Sequence, residues 1–170
     1  EPAAPANGLR PSEDERAVGA VIAAMMQAIR FRNADAMAGL CAPDVACVDD
    51  ASQHSGTGAA AVQAHWQPTW QAFDGPIGCD ATQLQITLGA DVAFGRSLLR
   101  VSGKAADGQR RTHWAWATFG LRRIDGVWRF VHQHFSQPFE RGNGGAVPLA
   151  AEAEAAAALP QAAGRLAAAV

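Results

Sequence analysis

The sequence predicts an α+β domain, and three observations predict it. Apolar residues recur at helical spacing near the start of the chain, Val18, Val21, Ile22, Met25, Met26 and Ile29, and again at Val62, Trp66, Trp70 and Phe73. The second half is a run of strand-like segments punctuated by turn residues, Gly89-Ala90-Asp91, Gly103 to Gly108 and Asp125-Gly126. The last of these turns sits between two aromatic-rich strands, in the stretch RRTHWAWATFGLRRIDGVWRFVHQHFSQPF from Arg110 to Phe139. Helices segregated from a largely antiparallel sheet define this class.

The elements follow in order. Residues 1–11 hold three prolines and little large apolar content, and read as a disordered leader. Ser12 and Glu15 form a capping-box pattern: the hydroxyl takes the third helical amide and the glutamate reaches back. A long first helix over about 13–31 follows, with its apolar stripe on one face. Asn33 caps a short second helix with Met37 and Leu40 inward, and Pro43 stops it. Asp44 to Asp49 reads as a strand and Ala51 to Gly58 as a polar loop. Thr57 or Gly58 opens a third helix, with Pro68 predicting a kink or local break and Gly75-Pro76 its end. Strands follow over about 79–88, 91–102, 110–123 and 127–136. A domain over 12–140 then gives way to a tail at 141–170, glycine-rich first and alanine-rich after, with helix propensity but little to bury.

Composition narrows the function. The 170 residues carry 14 basic and 16 acidic side chains, a balance that argues against nucleic acid as the main partner. No apolar run approaches the roughly 18 residues of a membrane helix. The chain starts at Glu1 in a Pro/Ala-rich stretch, which leaves cytoplasmic and exported locations both open. The three cysteines, Cys41, Cys47 and Cys79, make no C-x-x-C pair and read as small buried hydrophobes. Tyrosine is absent.

Several local motifs carry a family resemblance: Asn33-Ala34-Asp35-Ala36, Ala42-Pro43-Asp44, Ser55-Gly56, Ala64-His65-Trp66, Gly89 to Phe94, Leu121 to Trp128 and Val131 to Phe139. In this order, over residues 13–140, they resemble the SnoaL-like branch of the NTF2-like superfamily, which also holds the ketosteroid isomerases. The closing hairpin is similar to that of the calmodulin-dependent kinase II association domain, a member without catalysis. The resemblance implies a cone: a long N-terminal helix and two shorter helices against a curved, mostly antiparallel sheet, with a pocket open at one end. It also implies a homodimer formed through the outer face of the sheet. Many relatives have a pocket-directed arginine where Trp116 stands, and the association domain has one where Phe135 stands. Aromatic residues at both places favour an apolar or flat ligand over a carboxylate.

With Asp125-Gly126 as a two-residue turn, Trp116 pairs with Phe135 and Thr118 with Gln133. His113 then shares a face with Phe130, His132, His134 and Ser136. Ligand-binding candidates are Trp66, Trp70, Arg100, Trp114, Trp116, Thr118, Gln133 and Phe135, since indoles stack on flat ligands and offer N–H donors. Arg96 and Arg100 share a strand face, either as a solvated row or as an anion clamp.

Chemistry, if present, needs no cofactor. Isomerisation of the ketosteroid type needs a carboxylate base and an oxyanion donor. Asp49, Asp50 and Asp80 are the available carboxylates, and with no tyrosine the donor is an acid, imidazole or indole. SnoaL-like cyclases close polyketide rings with an aspartate and a histidine, a role open here to His113, His132, His134 and Asp49. The alternative makes His132 and His134 interface residues. His132-x-His134 with His113 also suggests a metal set, but no fourth ligand is evident and none is assigned. His65 reads as a helix-edge residue. Two functions remain: a small-molecule-binding protein, with acid–base catalysis of isomerase, cyclase or hydratase type, or a non-catalytic association module.

Overall fold

The computed structural model describes residues 12–49 and 54–137. The expected leader and tail, and Asp50, lie outside them. Helices α1 (Glu13–Arg30), α2 (Ala34–Gly39) and α3 (Ala59–Ala72) combine with strands β1 (Cys41–Asp49), β2 (His54–Thr57), β3 (Phe73–Leu88), β4 (Val92–Ala105), β5 (Arg110–Ile124) and β6 (Val127–Ser136). The strands form one sheet in the order β2-β1-β6-β5-β4-β3. Only the β1–β6 pair is parallel among the described neighbours. The α+β class and the cone-like arrangement follow.

Helix α1 starts as its sequence dictates. The Ser12 hydroxyl accepts the Glu15 amide at 3.1 Å and the Ser12 amide donates to Glu15 Oε2 at 2.6 Å. Val18, Ile22, Met25 and Ile29 are wholly buried against the sheet core. Arg32, just past the helix at φ 51°, donates to the carbonyls of Trp70, Phe73 and Gly75. Trp70 returns its indole N–H to the Ile29 carbonyl at 3.1 Å. Together they fix where α3 ends relative to α1.

Three stretches differ from the sequence reading. His54–Thr57 pairs with β1 as a short edge strand where a loop is expected, because the ladder to Ala46–Asp49 holds it rather than propensity. Strand β3 begins at Phe73, so Gly75-Pro76 lies inside it. The β3–β4 register shifts between Asp74 and Gly78, a place where proline forfeits no ladder bond. Likewise β1 takes in Pro43, within the irregular stretch between Cys41 and Ala46. Helix α3 continues through Pro68.

The closing hairpin turns on Asp125 and Gly126, both at positive φ (49° and 78°), as a two-residue turn of matching twist requires. Ile124 pairs with Val127 and Leu121 with Phe130. Then Val131 is left without a partner, a β-bulge, and the pairing resumes as Gly120 with His132. The expected pairs are therefore corrected by one residue: Phe135 lies opposite Ala117, Ser136 opposite Trp116, and His134 opposite Thr118. One inserted residue exchanges the faces of everything beyond it. Phe130, Gln133 and Phe135 are buried toward the helices with Ala117 and Phe119. His132, His134 and Ser136 point to the outer face with Trp116 and Thr118, away from His113.

A second anchor closes the far end. Arg123 donates to Asp14 at 2.7 Å and to the Ala90 carbonyl at 2.8 Å, while Trp128 donates its N–H to Asp14 at 3.3 Å. The Arg123 guanidinium lies 4.9 Å from the centre of the Trp128 ring.

Candidate functional site

A cavity of about 250 Å³ lies between α3 and the inner face of β4, β5 and β6. Its walls include His65 and Trp66 from α3, Leu99 from β4, His113 and Ala115 from β5, and Phe135 from β6. The register explains why these residues meet. Leu99 pairs with Ala115, Val101 with His113, and Ala117 with Phe135, so alternate residues of three strands share one face. The small side chain at Ala115 leaves the hollow between its larger neighbours.

Rings dominate this site. His65 is stacked on Phe135, with centroids 4.4 Å apart and planes within 9°. Trp66 meets Phe135 edge-on at 5.1 Å, and His65 meets Trp66 at 4.7 Å. His113 is exposed, and its ring lies 5.7 Å from Phe73. Phe73 in turn covers Gly103, where a Cβ would come within 2.7 Å of the ring. Glycine there leaves room for the Phe73 ring, which meets His113 edge-on. The indole Nε1 of Trp66 has no hydrogen-bond partner although the residue is 3% exposed.

The predicted site residues separate into groups. Trp66, His113, Trp114 and Phe135 border the cavity. Gln133 is wholly buried on the same inner face, its amide nitrogen 3.8 Å from Met25 Sδ. Trp70 turns to α1 through its bond to Ile29. Trp116, Thr118 and Arg100 belong to the outer face, where Trp116 pairs with Leu98 and Arg100 with Trp114. Arg100 sits 6.0 Å from the Trp114 ring centre, and Arg96 is held by Gln85 at 2.7 and 2.9 Å. The outer-face imidazoles of His132 and His134 have centroids 6.5 Å apart. His113 is on the opposite face, so the three imidazoles do not converge. Among the described residues no group of three or more His, Cys, Asp or Glu is placed to hold a metal ion. Asp49 closes β1, and its side chain lies outside the described residues.

Sequence reasoning set His65 aside as a helix-edge residue. Its signal was adjacency to Trp66: in the middle of α3, which covers the sheet, both consecutive residues reach the space beneath. The cysteines are buried in the core. Burial pushes the Cys79 thiol up to about 12 and that of Cys41 up to about 11, so both stay neutral. Among the described residues no helix is long and apolar enough to cross a membrane.

Known structures share this architecture. An NTF2-like protein of unknown function from Pseudomonas putida is 28% identical, over 76% of this chain and 90% of that one, with a TM-score of 0.67. A protein from Xanthomonas campestris, provisionally named a calcium/calmodulin dependent protein kinase II association domain, is 20% identical over 79% of this chain and 91% of its own, with a TM-score of 0.63. A provisionally named scytalone dehydratase from Novosphingobium aromaticivorans is 14% identical over 74% and 85%, with a TM-score of 0.65. No curated protein matches the chain. The model of the SnoaL-like domain matches residues 18–140, and with most of its length so covered the chain belongs to the SnoaL-like family.

Proposed function

We propose that the protein binds a flat, apolar small molecule of one or two rings in the cavity, and that His113 and His65 carry out acid–base chemistry on it without a cofactor. The observation that carries this reading is the convergence of two imidazoles, Trp66 and Phe135 on one hollow. Its volume, about 250 Å³, falls just under the roughly 300–1,000 Å³ of sites for drug-sized ligands. Imidazole is the side chain suited to giving and taking protons near neutral pH. Isomerisation, cyclisation and hydration or dehydration all reduce to such transfers. The likeness to a provisionally named dehydratase is consistent with this, at the level of fold.

The test is a panel of one- and two-ring aromatic compounds, scored by the rise in Tm. Hits are expected to lose their effect in Ala115→Leu, which fills the hollow. His113→Ala and His65→Ala should keep binding and lose turnover of any hit that is converted. A panel without hits, or hits indifferent to Ala115→Leu, would sink the proposal.

A second reading rests on the outer face. Trp116 is 38% exposed there, beside Thr118, His134 and the Leu98 pair. We propose that a second copy covers it, in a homodimer that exists with or without catalysis. Sedimentation of Trp116→Arg should show monomer with ligand binding intact; an unchanged dimer would place the contact elsewhere.

A further inference from the structure

Three buried polar side chains around the inner face of the sheet lack a hydrogen-bond partner at one atom each: Trp66 Nε1, Ser97 Oγ and Gln133 Oε1. Trp66 is 3% exposed, and Ser97 and Gln133 are wholly buried. Their relation to Phe135 comes from packing and register. Trp66 meets its ring edge-on at 5.1 Å. Gln133 precedes it by two residues on the same strand face. Ser97 lies in the same row of the sheet, across Ala117, since Ser97 pairs with Ala117 and Ala117 with Phe135. Leaving such a group unsatisfied costs about 1–3 kcal/mol each. Three on one inner face, next to a cavity, suit something polar.

The row around them is built of small residues. Ser97, Ala115 and Ala117 occupy the inner faces of β4 and β5 in and beside the row of Phe135. Phe135 itself lines the open cavity and stacks on His65. Trp66 lines the same cavity, whereas Ser97 and Gln133 do not, and rotation of the Phe135 side chain would open the cavity toward them. The chemistry of the atoms limits what could enter. An indole N–H donates only, a glutamine Oε1 accepts only, and a serine hydroxyl does both. A hydroxyl on a ring is a small group that answers all three.

We infer that Phe135 gates a deeper polar subsite, formed by Trp66, Ser97 and Gln133, which takes the hydroxyl of an aromatic ligand. This rests on the cavity being the ligand site. The aromatic body stays against His65 and Leu99, while its hydroxyl donates to Gln133 Oε1 and accepts from Trp66 or Ser97.

Equilibrium dialysis with 2-naphthol and 2-methylnaphthalene tests it, because the two differ by a hydroxyl against a methyl group of similar size. Hydrophobicity alone favours the methyl compound. The subsite predicts the opposite order, with 2-naphthol about tenfold tighter. Gln133→Leu and Ser97→Ala should each reduce that preference severalfold and leave 2-methylnaphthalene affinity unchanged. Ser97→Ala deletes one buried oxygen atom and keeps the test alive should Gln133→Leu not fold. Binding of both compounds without preference overturns the subsite and leaves the cavity reading standing. Binding of neither overturns both. A preference that survives both substitutions also overturns it, since the hydroxyl would then be read elsewhere.

Discussion

Trp128 and Trp66 are both buried indoles, 5% and 3% exposed, but their polar atoms meet different fates. Trp128 donates to Asp14, which also takes Arg123, whose guanidinium lies over the Trp128 ring. The remaining Arg123 Nε lies 3.6 Å from the Asp91 carboxylate. Trp66 stands among rings with its N–H unanswered, as are the Ser97 and Gln133 oxygens on the inner face of the sheet. The two regions use the same residue type for opposite ends. The Trp128 region ties the start of α1 to the closing hairpin and pairs its indole with a carboxylate, although Arg123 Nε has no hydrogen bond and meets Asp91 as an ion pair. The Trp66 indole has no partner and stands beside a cavity, the arrangement that the proposed ligand site uses.

The largest expected effect comes from cutting the knot. Trp128→Ala removes a buried indole, its bond to Asp14 and the ring under Arg123. It should cost about 3–5 kcal/mol in urea unfolding. Trp66→Phe, which retains an aromatic ring and loses the unpartnered N–H, should cost far less. If both variants lost similar stability, the distinction between the two regions would fail.

A smaller effect follows from pH. Hydrogen bonds from Arg123 first and Trp128 second hold the Asp14 carboxyl below its ordinary value. A carboxylate with a lowered folded pKa adds stability that is complete above the unfolded value, about 3.9, and disappears as pH falls through the folded one. Stability of the wild type should therefore drop more than that of Asp14→Asn between about pH 4 and lower values. The comparison with the variant is needed because Asp107, held down by the Gln109 amide and then Arg111, titrates in the same direction. Equal slopes for the two proteins would show that the Asp14 bonds do not persist in solution.

The elements that meet at the knot were more legible in the sequence than the site, for a physical reason. Ser12 and Glu15 cap locally, the stripe from Val18 to Ile29 has one period, and Asp125-Gly126 has one favoured turn. Each is decided within a few residues of itself. The site depends on Val131, which bulges out of the ladder opposite Gly120, a strand glycine that marks a close approach without saying which residue of the facing strand is inserted. That single residue decides whether Phe135 or His134 faces the helices. Trp116 and Thr118, aimed at the pocket by the family resemblance and expected opposite Phe135 and Gln133, stand on the outer face while Phe135 and Gln133 face inward. The edge strand at His54–Thr57 was hidden for a related reason: its partner residues, not its own, make it a strand. His65 was visible only as the neighbour of Trp66.

The smallest effect is the most discriminating. Ser97→Ala removes a wholly buried hydroxyl that has no partner. A structural serine would cost stability when lost. An oxygen kept for a ligand should do the reverse: the unliganded variant should be as stable as the wild type or gain up to about 1 kcal/mol, a Tm rise of up to about 3 °C. The same variant should bind 2-naphthol less tightly, so stability and recognition would move in opposite directions, the signature of a polar group retained for function. A loss of stability in Ser97→Ala would instead mean that water or a neighbouring group satisfies the hydroxyl in the folded protein. The contrast between the two tryptophan regions would then shrink to the indole of Trp66 and the amide of Gln133.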